Sequence, residues 1–171
     1  LDKLTMMVEK LLETATLDGE ELALNKEEIN LNEILENLVQ KHQTLAPEKS
    51  IRFTALRENN WILGDAFHLD NALNNLLDNA VKYGGDTIEV TLNSRNGSYS
   101  ILVSDSGTSL SKAEAKQIFE KFYRVPKGNT HDVKGFGIGL YYTQKIIEKH
   151  GGNIHVSVTS QTTFKIDLPN A

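Results

Sequence analysis

The chain has no cysteine among its 171 residues. A disulfide, a thiolate metal site and a cysteine nucleophile are therefore excluded. The histidines (His42, His68, His131, His150 and His155) are scattered without metal-ligand spacing, so no zinc site is expected. No apolar run approaches the roughly 20 residues of a membrane span, and no signal peptide stands out. The piece is therefore expected to be soluble. A basic excess is also missing: 18 Lys and Arg face 23 Asp and Glu, a net charge of −5. That balance argues against nonspecific nucleic-acid or anionic-membrane binding but leaves room for a small anion held by local groups. No segment repeats and none is low in complexity. The first residue, Leu1, falls inside a helical pattern and is not Met, so a fragment of something longer is expected. The length and the 39% apolar content suit one ordinary domain with a short appendage.

What the chain does have is centred on LDNALNNLLDNAVKYGG, Leu69 to Gly85. Leu69, Leu73, Leu76, Leu77, Ala80 and Val81 recur at helical spacing and form an apolar stripe. Beside it runs a polar rib of Asn71, Asn75, Asn79 and Lys82, with Asn74 alongside. Residues four apart stand above one another on a helix, so these amides align along its axis. Asparagine is a poor interior helix residue, because its side chain competes for backbone hydrogen bonds. A merely solvated face would carry Glu, Lys and Arg instead. The rib therefore points to a ligand or metal.

Upstream, Leu1, Leu4, Val8, Leu11 and Ala15 keep a 3-4-3-4 spacing. This is a heptad seam of a bundle helix, with an ordinary amphipathic helix of the same domain as the alternative. Asp18-Gly19 stops it, a charged connector follows, and Glu28 to Leu31 suits a short strand. Asn32 is placed to cap a helix buried through Ile34, Leu35, Leu38 and Val39 and ending before Pro47. Ser50 to Leu56 alternates as a strand, Trp61 to Leu63 is a second, and Asp65 caps the Asn-rich helix. Thr87 to Leu92 and Tyr99 to Val103 flank an Asn96-Gly97 hairpin turn. Ser111 caps a short helix toward Phe119 and Phe122, and the polar stretch Pro126 to Lys134 reads as a loop. GFGIGL (Gly135 to Leu140) opens a helix that Gly151-Gly152 ends, and Asn153 to Val158 and Thr162 to Leu168 form a last strand pair. His42, His150 and His155 read as structural. The pattern is α+β: a two-layer α/β sandwich whose mixed sheet carries its helices on one face. The expected organisation is 1–18 as a partial helix bundle, 19–27 as linker and 28–171 as one domain.

Three elements suit nucleotide binding. The glycines Gly135, Gly137 and Gly139 let backbone N–H groups approach a phosphate at a helix N-terminus, although a glycine-rich hinge has the same composition. The spacing matches neither the dinucleotide fingerprint nor the Walker loop. Asp105 and Gly107 follow a strand end. A carboxylate there accepts from an exocyclic amine while Gly107 admits a flat ring; a plain turn Asp is the alternative. Asn79 offers an amide oxygen to a hard cation such as Mg²⁺.

Taken in order, NLLDNAVKY (Asn75 to Tyr83), DSG (Asp105 to Gly107), FEKFYR (Phe119 to Arg124) and GFGIGL resemble the N box, the first glycine box, the F box and the second glycine box of sensor histidine kinases. The ATP-binding domain of that family shares its fold with type II topoisomerases, mismatch-repair ATPases and heat-shock chaperones. The resemblance covers roughly Glu28 to Leu168, and the heptad helix then resembles the end of the family's dimerisation bundle. It implies Asn79 as the Mg²⁺ ligand, Asn75 and Lys82 at the phosphates, and Tyr83 against the adenine. It implies Asp105 on the adenine amino group, with Gly107 flanking the base. Phe119, Phe122 and Arg124 would anchor the lid, with Arg124 near the phosphates. Gly135, Gly137 and Gly139 would wrap the triphosphate, Leu140 of the same motif would border the nucleotide, and Thr163 would close the floor of the base pocket.

The implied function is that of a protein histidine kinase in a two-component system. It would bind Mg-ATP and pass the γ-phosphoryl group to a histidine on a dimerisation helix outside this fragment. Asn79, Lys82 and Arg124 would serve the transfer by positioning and charge neutralisation. The implied partners are ATP, the phosphoacceptor helix of the parent kinase, a response-regulator receiver domain and a second copy in a homodimer. Many such kinases sit in the cytoplasmic membrane with this domain in the cytoplasm. Two departures stand against the pattern: Ser109 occupies a usual glycine position, and none of the histidines sits beside an acidic residue on a first bundle helix. A regulatory nucleotide-binding or dimerisation module without kinase activity is the alternative, with an ATP-driven clamp of the topoisomerase type behind it.

Overall fold

The computed structural model describes residues 23–107, 111–120 and 139–170. In chain order the elements are β1 (Glu27–Asn30), α1 (Leu31–Leu45), β2 (Ser50–Ala55), β3 (Trp61–Gly64), α2 (Ala66–Tyr83), β4 (Thr87–Arg95), β5 (Ser98–Asp105), α3 (Lys112–Ala115), α4 (Gly139–Lys149), β6 (Asn153–Val158) and β7 (Thr162–Pro169). The expected heptad helix and the Pro126 to Lys134 loop lie outside the described residues.

A period of two in five strands builds the main sheet, in the order β2-β4-β5-β7-β6. β2 runs parallel to β4, and the remaining pairs are antiparallel. Register aligns the inward side chains into rows: Phe53 beside Val90, Val90 beside Val103, Val103 beside Phe164, and Phe164 beside Val156. Successive strand residues point to opposite faces, so these rows form one apolar face. The helices cover it, and the two-layer α+β expectation holds. The turn between β4 and β5 is the expected Asn96-Gly97 pair, with φ of 52° and 77°. Both positive values belong to the primed turns that match strand twist. β1 and β3 pair antiparallel in a separate small sheet. The sequence does not distinguish this ribbon from the main sheet.

The cap of α1 falls two residues earlier than expected. Asn30, not Asn32, is the N-cap, and its Oδ1 accepts from the amides of Asn32 (3.2 Å) and Asn60 (3.1 Å). Asn32 is instead buried, donating to the Arg57 carbonyl at 2.7 Å and accepting from Asn60 Nδ2 at 2.7 Å. The two asparagines thus fasten the start of α1 to the loop before β3. α2 buries Leu69, Ala72, Leu73, Leu76, Leu77 and Ala80 against the sheet, as its leucine stripe requires. Removing one of these leucines would cost about 2–5 kcal/mol, the range for large-to-small changes in a packed core. Asn74 is half-buried. Its Oδ1 is 2.9 Å from His42 Nε2 and 3.3 Å from Lys41 Nζ, so it joins α2 to α1. His42 is structural as expected, whereas His155 is exposed on β6. Among the described residues no helix is long and apolar enough to cross a membrane.

Candidate functional site

The site grows out of the pairing of α2 with α4. Their contacts run in opposite directions along the two helices. Asp65, the N-cap of α2, donates its amide to His150 Nε2 at 3.0 Å, just beyond the end of α4. One turn on, His68 Nδ1 is 2.8 Å from the Tyr142 hydroxyl. The buried Thr143 hydroxyl is directed at the Ala72 carbonyl (2.9 Å) and at its own helix's Gly139 carbonyl (3.0 Å). Gly139 then faces Asn75, whose Cγ would lie 3.8 Å from a Cβ added to the glycine. The helices are therefore antiparallel, and the positive end of α4 lies beside the polar rib of α2. His68, Ala72 and Asn75 are spaced 4 and 3 along that face, and Asn79 continues it one turn past Gly139.

Asn75 Nδ2 is buried and has no hydrogen-bond partner among the described residues. Leaving such a donor unpaired costs about 1–3 kcal/mol. Its position at the N-terminus of α4 is where an anion would satisfy it.

A second group of residues forms at the other end of α2. Gly84 caps the helix, and its amide bonds the Ala80 carbonyl at 2.8 Å. The next residue presses against the turn after β5. A Cβ on Gly85 would overlap Ser106 Oγ and lie 2.8 Å from the Gly107 amide nitrogen. Only glycine permits this backbone-to-backbone approach. Asp105 is buried there, and its Oδ1 accepts from the amides of Gly107 (2.7 Å) and Gly85 (3.4 Å). Asp105 and Gly107 are thus brought to the C-terminal end of the helix that carries Asn75 and Asn79.

The remaining expected residues fall as follows. Asn79 and Tyr83 are half-buried on α2. Lys82 is exposed on the same helix and is ion-paired with Asp78 at 2.8 Å. Gly139 and Leu140 form the first turn of α4. Phe119 packs edge-on against Phe164, with ring centroids 6.1 Å apart. Thr163 is placed differently from expectation. It pairs with Ser104, with hydroxyls 3.0 Å apart, on the face opposite the buried Asp105. Thr162 is the buried neighbour, opposite Asp105 in register and donating to the Gly107 carbonyl at 3.2 Å. Strand parity decides this, since adjacent residues face opposite ways. Phe122, Arg124, Gly135, Gly137 and Ser109 lie outside the described residues.

The end of the helix pair away from Asn79 is a polar knot. His150 donates from Nδ1 to the Ile146 carbonyl at 2.8 Å while Nε2 accepts from Asp65, which fixes the neutral tautomer. Burial is the main force holding its pKa below the usual histidine value. For Asp65, burial works upward, but the amides of His68 (3.1 Å) and Asn25 (2.9 Å) bond the carboxylate and bring it below 3.8.

Among the described residues no three His, Cys, Asp or Glu side chains cluster to hold a metal. The Asn79 amide oxygen is a hard donor that fits Mg²⁺, an ion that commonly takes few protein ligands and the rest from phosphate and water.

Residues 64–171 match the family described as histidine kinase-, DNA gyrase B-, and HSP90-like ATPase. The sensor protein RprX of Bacteroides fragilis is 36% identical over 175 residues, covering 98% of this chain and 34% of that protein. The sensor protein SrrB of Staphylococcus aureus is 32% identical over 173 residues, covering 98% of this chain and 30% of that protein. The chain therefore spans about a third of the length of these curated relatives. Among solved structures, full-length ShkA in complex with AMPPNP superposes with a TM-score of 0.85 at 23% identity, over 98% of this chain and 36% of that one. The mycobacterial sensor histidine kinase MprB gives 0.73 at 24% identity, over 84% and 97% respectively. At these identities the structural likeness establishes the fold.

Proposed function

Because the chain belongs to the histidine kinase-, DNA gyrase B-, and HSP90-like ATPase family, we propose that it is the ATP-binding part of a sensor histidine kinase. It binds Mg-ATP and donates the γ-phosphoryl group to a histidine on a separate helix of the parent protein. The observation that carries this reading is the antiparallel α2–α4 pair. It sets a helix N-terminus and a buried Asn75 donor, unpaired among the described residues, against the Asn79 rib, with the Asp105 carboxylate at the end of the same helix. Phosphate belongs at the first end and a base at the second.

Each residue then has a role. Asp105 accepts from the adenine amine, Gly107 lies along the ring and Tyr83 lines it, while Thr162 fixes the Gly107 carbonyl. Asn75 donates to phosphate oxygen, Lys82 adds a cation on the phosphate side, and Gly139 and Leu140 present the first turn of α4. Arg124, Phe122, Gly135 and Gly137 complete the lid and phosphate loop. Asn79 would hold Mg²⁺, which would neutralise charge on the phosphates. In the transfer the bond between the γ-phosphorus and the β–γ bridging oxygen breaks, ADP departs, and a P–N bond forms to the acceptor imidazole. The domain contributes alignment and electrostatic stabilisation and no general base.

In this reading residues 1–18 end a dimerisation bundle, and the linker that follows gives way to the catalytic ATP-binding domain earlier than residue 28, since Glu27 already pairs with Gly64 in β1 and the Asn25 amide bonds Asp65. The parent works as a homodimer, hands its phosphoryl group to a receiver domain and keeps this domain on the cytoplasmic side. The test is calorimetric titration with Mg-ATP, followed by incubation with γ-labelled ATP and the acceptor helix of the parent. Saturable binding, no label on the chain alone and label on the helix are expected. Absence of Mg-ATP binding would overturn the reading. Binding without transfer would leave the regulatory module in its place.

A further inference from the structure

The Gly84-Gly85 link, which holds the base end of the site together, is gripped from outside by a residue that belongs to none of the recognised motifs. Lys49 Nζ lies 3.3 Å from the Gly84 carbonyl and 3.1 Å from the Gly85 carbonyl, reaching across 35 and 36 residues of sequence. These carbonyls sit at the negative end of α2, where a cation is favoured. Lys49 is half-buried, and the turn that carries it is itself fixed. Gln43 donates from Nε2 to the carbonyls of Ala46 (3.2 Å) and Lys49 (2.6 Å) and accepts at Oε1 from the Ile51 amide (2.9 Å). The Lys49 amide bonds the Ala46 carbonyl at 3.0 Å, and the Ser50 amide bonds the Asp86 carbonyl at 2.8 Å. Gly85 is thereby held on both sides: its carbonyl accepts from Lys49, and its amide donates toward Asp105.

We propose that Lys49 is a positioning residue for base recognition, acting through the Gly84-Gly85 backbone on Asp105 without touching the nucleotide. The inference rests on the nucleotide reading above. Without the cation, two carbonyls at the helix end lose their shared donor. The glycine link is then free to withdraw from the turn after β5, and the Asp105 carboxylate loses the Gly85 amide that helps orient it. The phosphate end, at Asn75 and Gly139, is anchored separately through α4. The defect should therefore be confined to the base.

The test is calorimetry on the chain with Lys49→Met and Lys49→Arg, using Mg-ATP, Mg-ADP and Mg-GTP. Lys49→Met should weaken ATP and ADP binding by an equal factor of about tenfold, the scale of one hydrogen bond to a charged group. It should weaken GTP binding less, so that the preference for adenine falls. Lys49→Arg, which keeps a cationic donor, should restore most of the affinity and the preference. Thermal melting without nucleotide separates this from a general loss of fold, since only the base preference reports on Asp105. Unchanged ATP affinity in Lys49→Met would overturn the inference while leaving the site intact. Equal losses for ATP and GTP would also overturn it. Failure of the unsubstituted chain to bind any nucleotide would overturn the functional reading and this inference together.

Discussion

Asn75→Leu should make the empty chain more stable and a worse nucleotide binder. Asn75 Nδ2 is buried without a partner among the described residues. An unpaired buried donor costs about 1–3 kcal/mol, which an apolar side chain does not incur. Leucine is also the better helix former, by up to about 0.7 kcal/mol. Leucine is close to asparagine in size, and the facing Gly139 presents no side chain, with even an added Cβ there 3.8 Å from Asn75 Cγ. Overpacking offsets part of the gain, so a net stabilisation of about 1–2 kcal/mol is expected. For a domain of this size that raises Tm by about 2–8 °C. The same change removes a donor to phosphate, a hydrogen bond to a charged group worth about 1.5–3 kcal/mol. Affinity for Mg-ATP should then fall about 10- to 100-fold. Circular-dichroism melting of the free chain and calorimetry with Mg-ATP read the two effects separately. A lower Tm in the free variant would refute the idea that Asn75 is held at a cost for a ligand. A higher Tm with unchanged affinity would refute its place in the site.

Thr143→Val keeps the shape of the side chain but removes the hydroxyl that reaches Ala72. It should lower Tm by about 2–4 °C, the equivalent of roughly 1 kcal/mol, and an unchanged Tm would refute the contact. Gly85→Ala forces a methyl onto the backbone of Ser106 and Gly107. Overpacking of about 1–3 kcal/mol is expected, together with weakened ATP binding; wild-type affinity would show that the close approach is unimportant. Acid should destabilise the chain through His150. Its folded pKa lies below its unfolded value of about 6.5, so its contribution is fully present above that pH. It is lost as pH falls toward the lowered folded pKa, because the unfolded state binds the proton first. In melts between pH 7.5 and 5, His150→Gln should flatten the dependence, and an unchanged slope would assign it to other groups.

How far the sequence carried depended on whether a feature was local. The leucine stripe of α2, the Asp65 and Ser111 caps and the Asn96-Gly97 turn each rest on neighbours within a few residues, and all appear where the pattern places them. The choice between Asn30 and Asn32 as cap failed because both are good caps two residues apart. What separates them is Asn60, which lies 28 residues from Asn32 and binds it from another loop. The role of Asn74 could not be read locally, because its partner His42 belongs to a different helix. Thr162 and Thr163 are the same residue type in adjacent positions. Only the register with β5 shows which one faces Asp105. Lys49 carries no motif, and its meaning comes from two carbonyls more than thirty residues away. Asn75, Asn79, Asp105 and Gly107 stood out as candidates because they are uncommon residue types in uncommon settings: amides along a helix face, and a carboxylate two residues before a glycine at a strand end.

The central claim is that the polar rib of α2 faces a metal that arrives with its nucleotide, with Asn79 supplying the protein's oxygen. Calorimetry of Asn79→Ala with ATP, in Mg²⁺ and in EDTA, tests it most directly. The variant should melt like the unsubstituted chain but lose Mg²⁺-dependent ATP binding. Unchanged Mg-ATP affinity in a folded Asn79→Ala chain would contradict it.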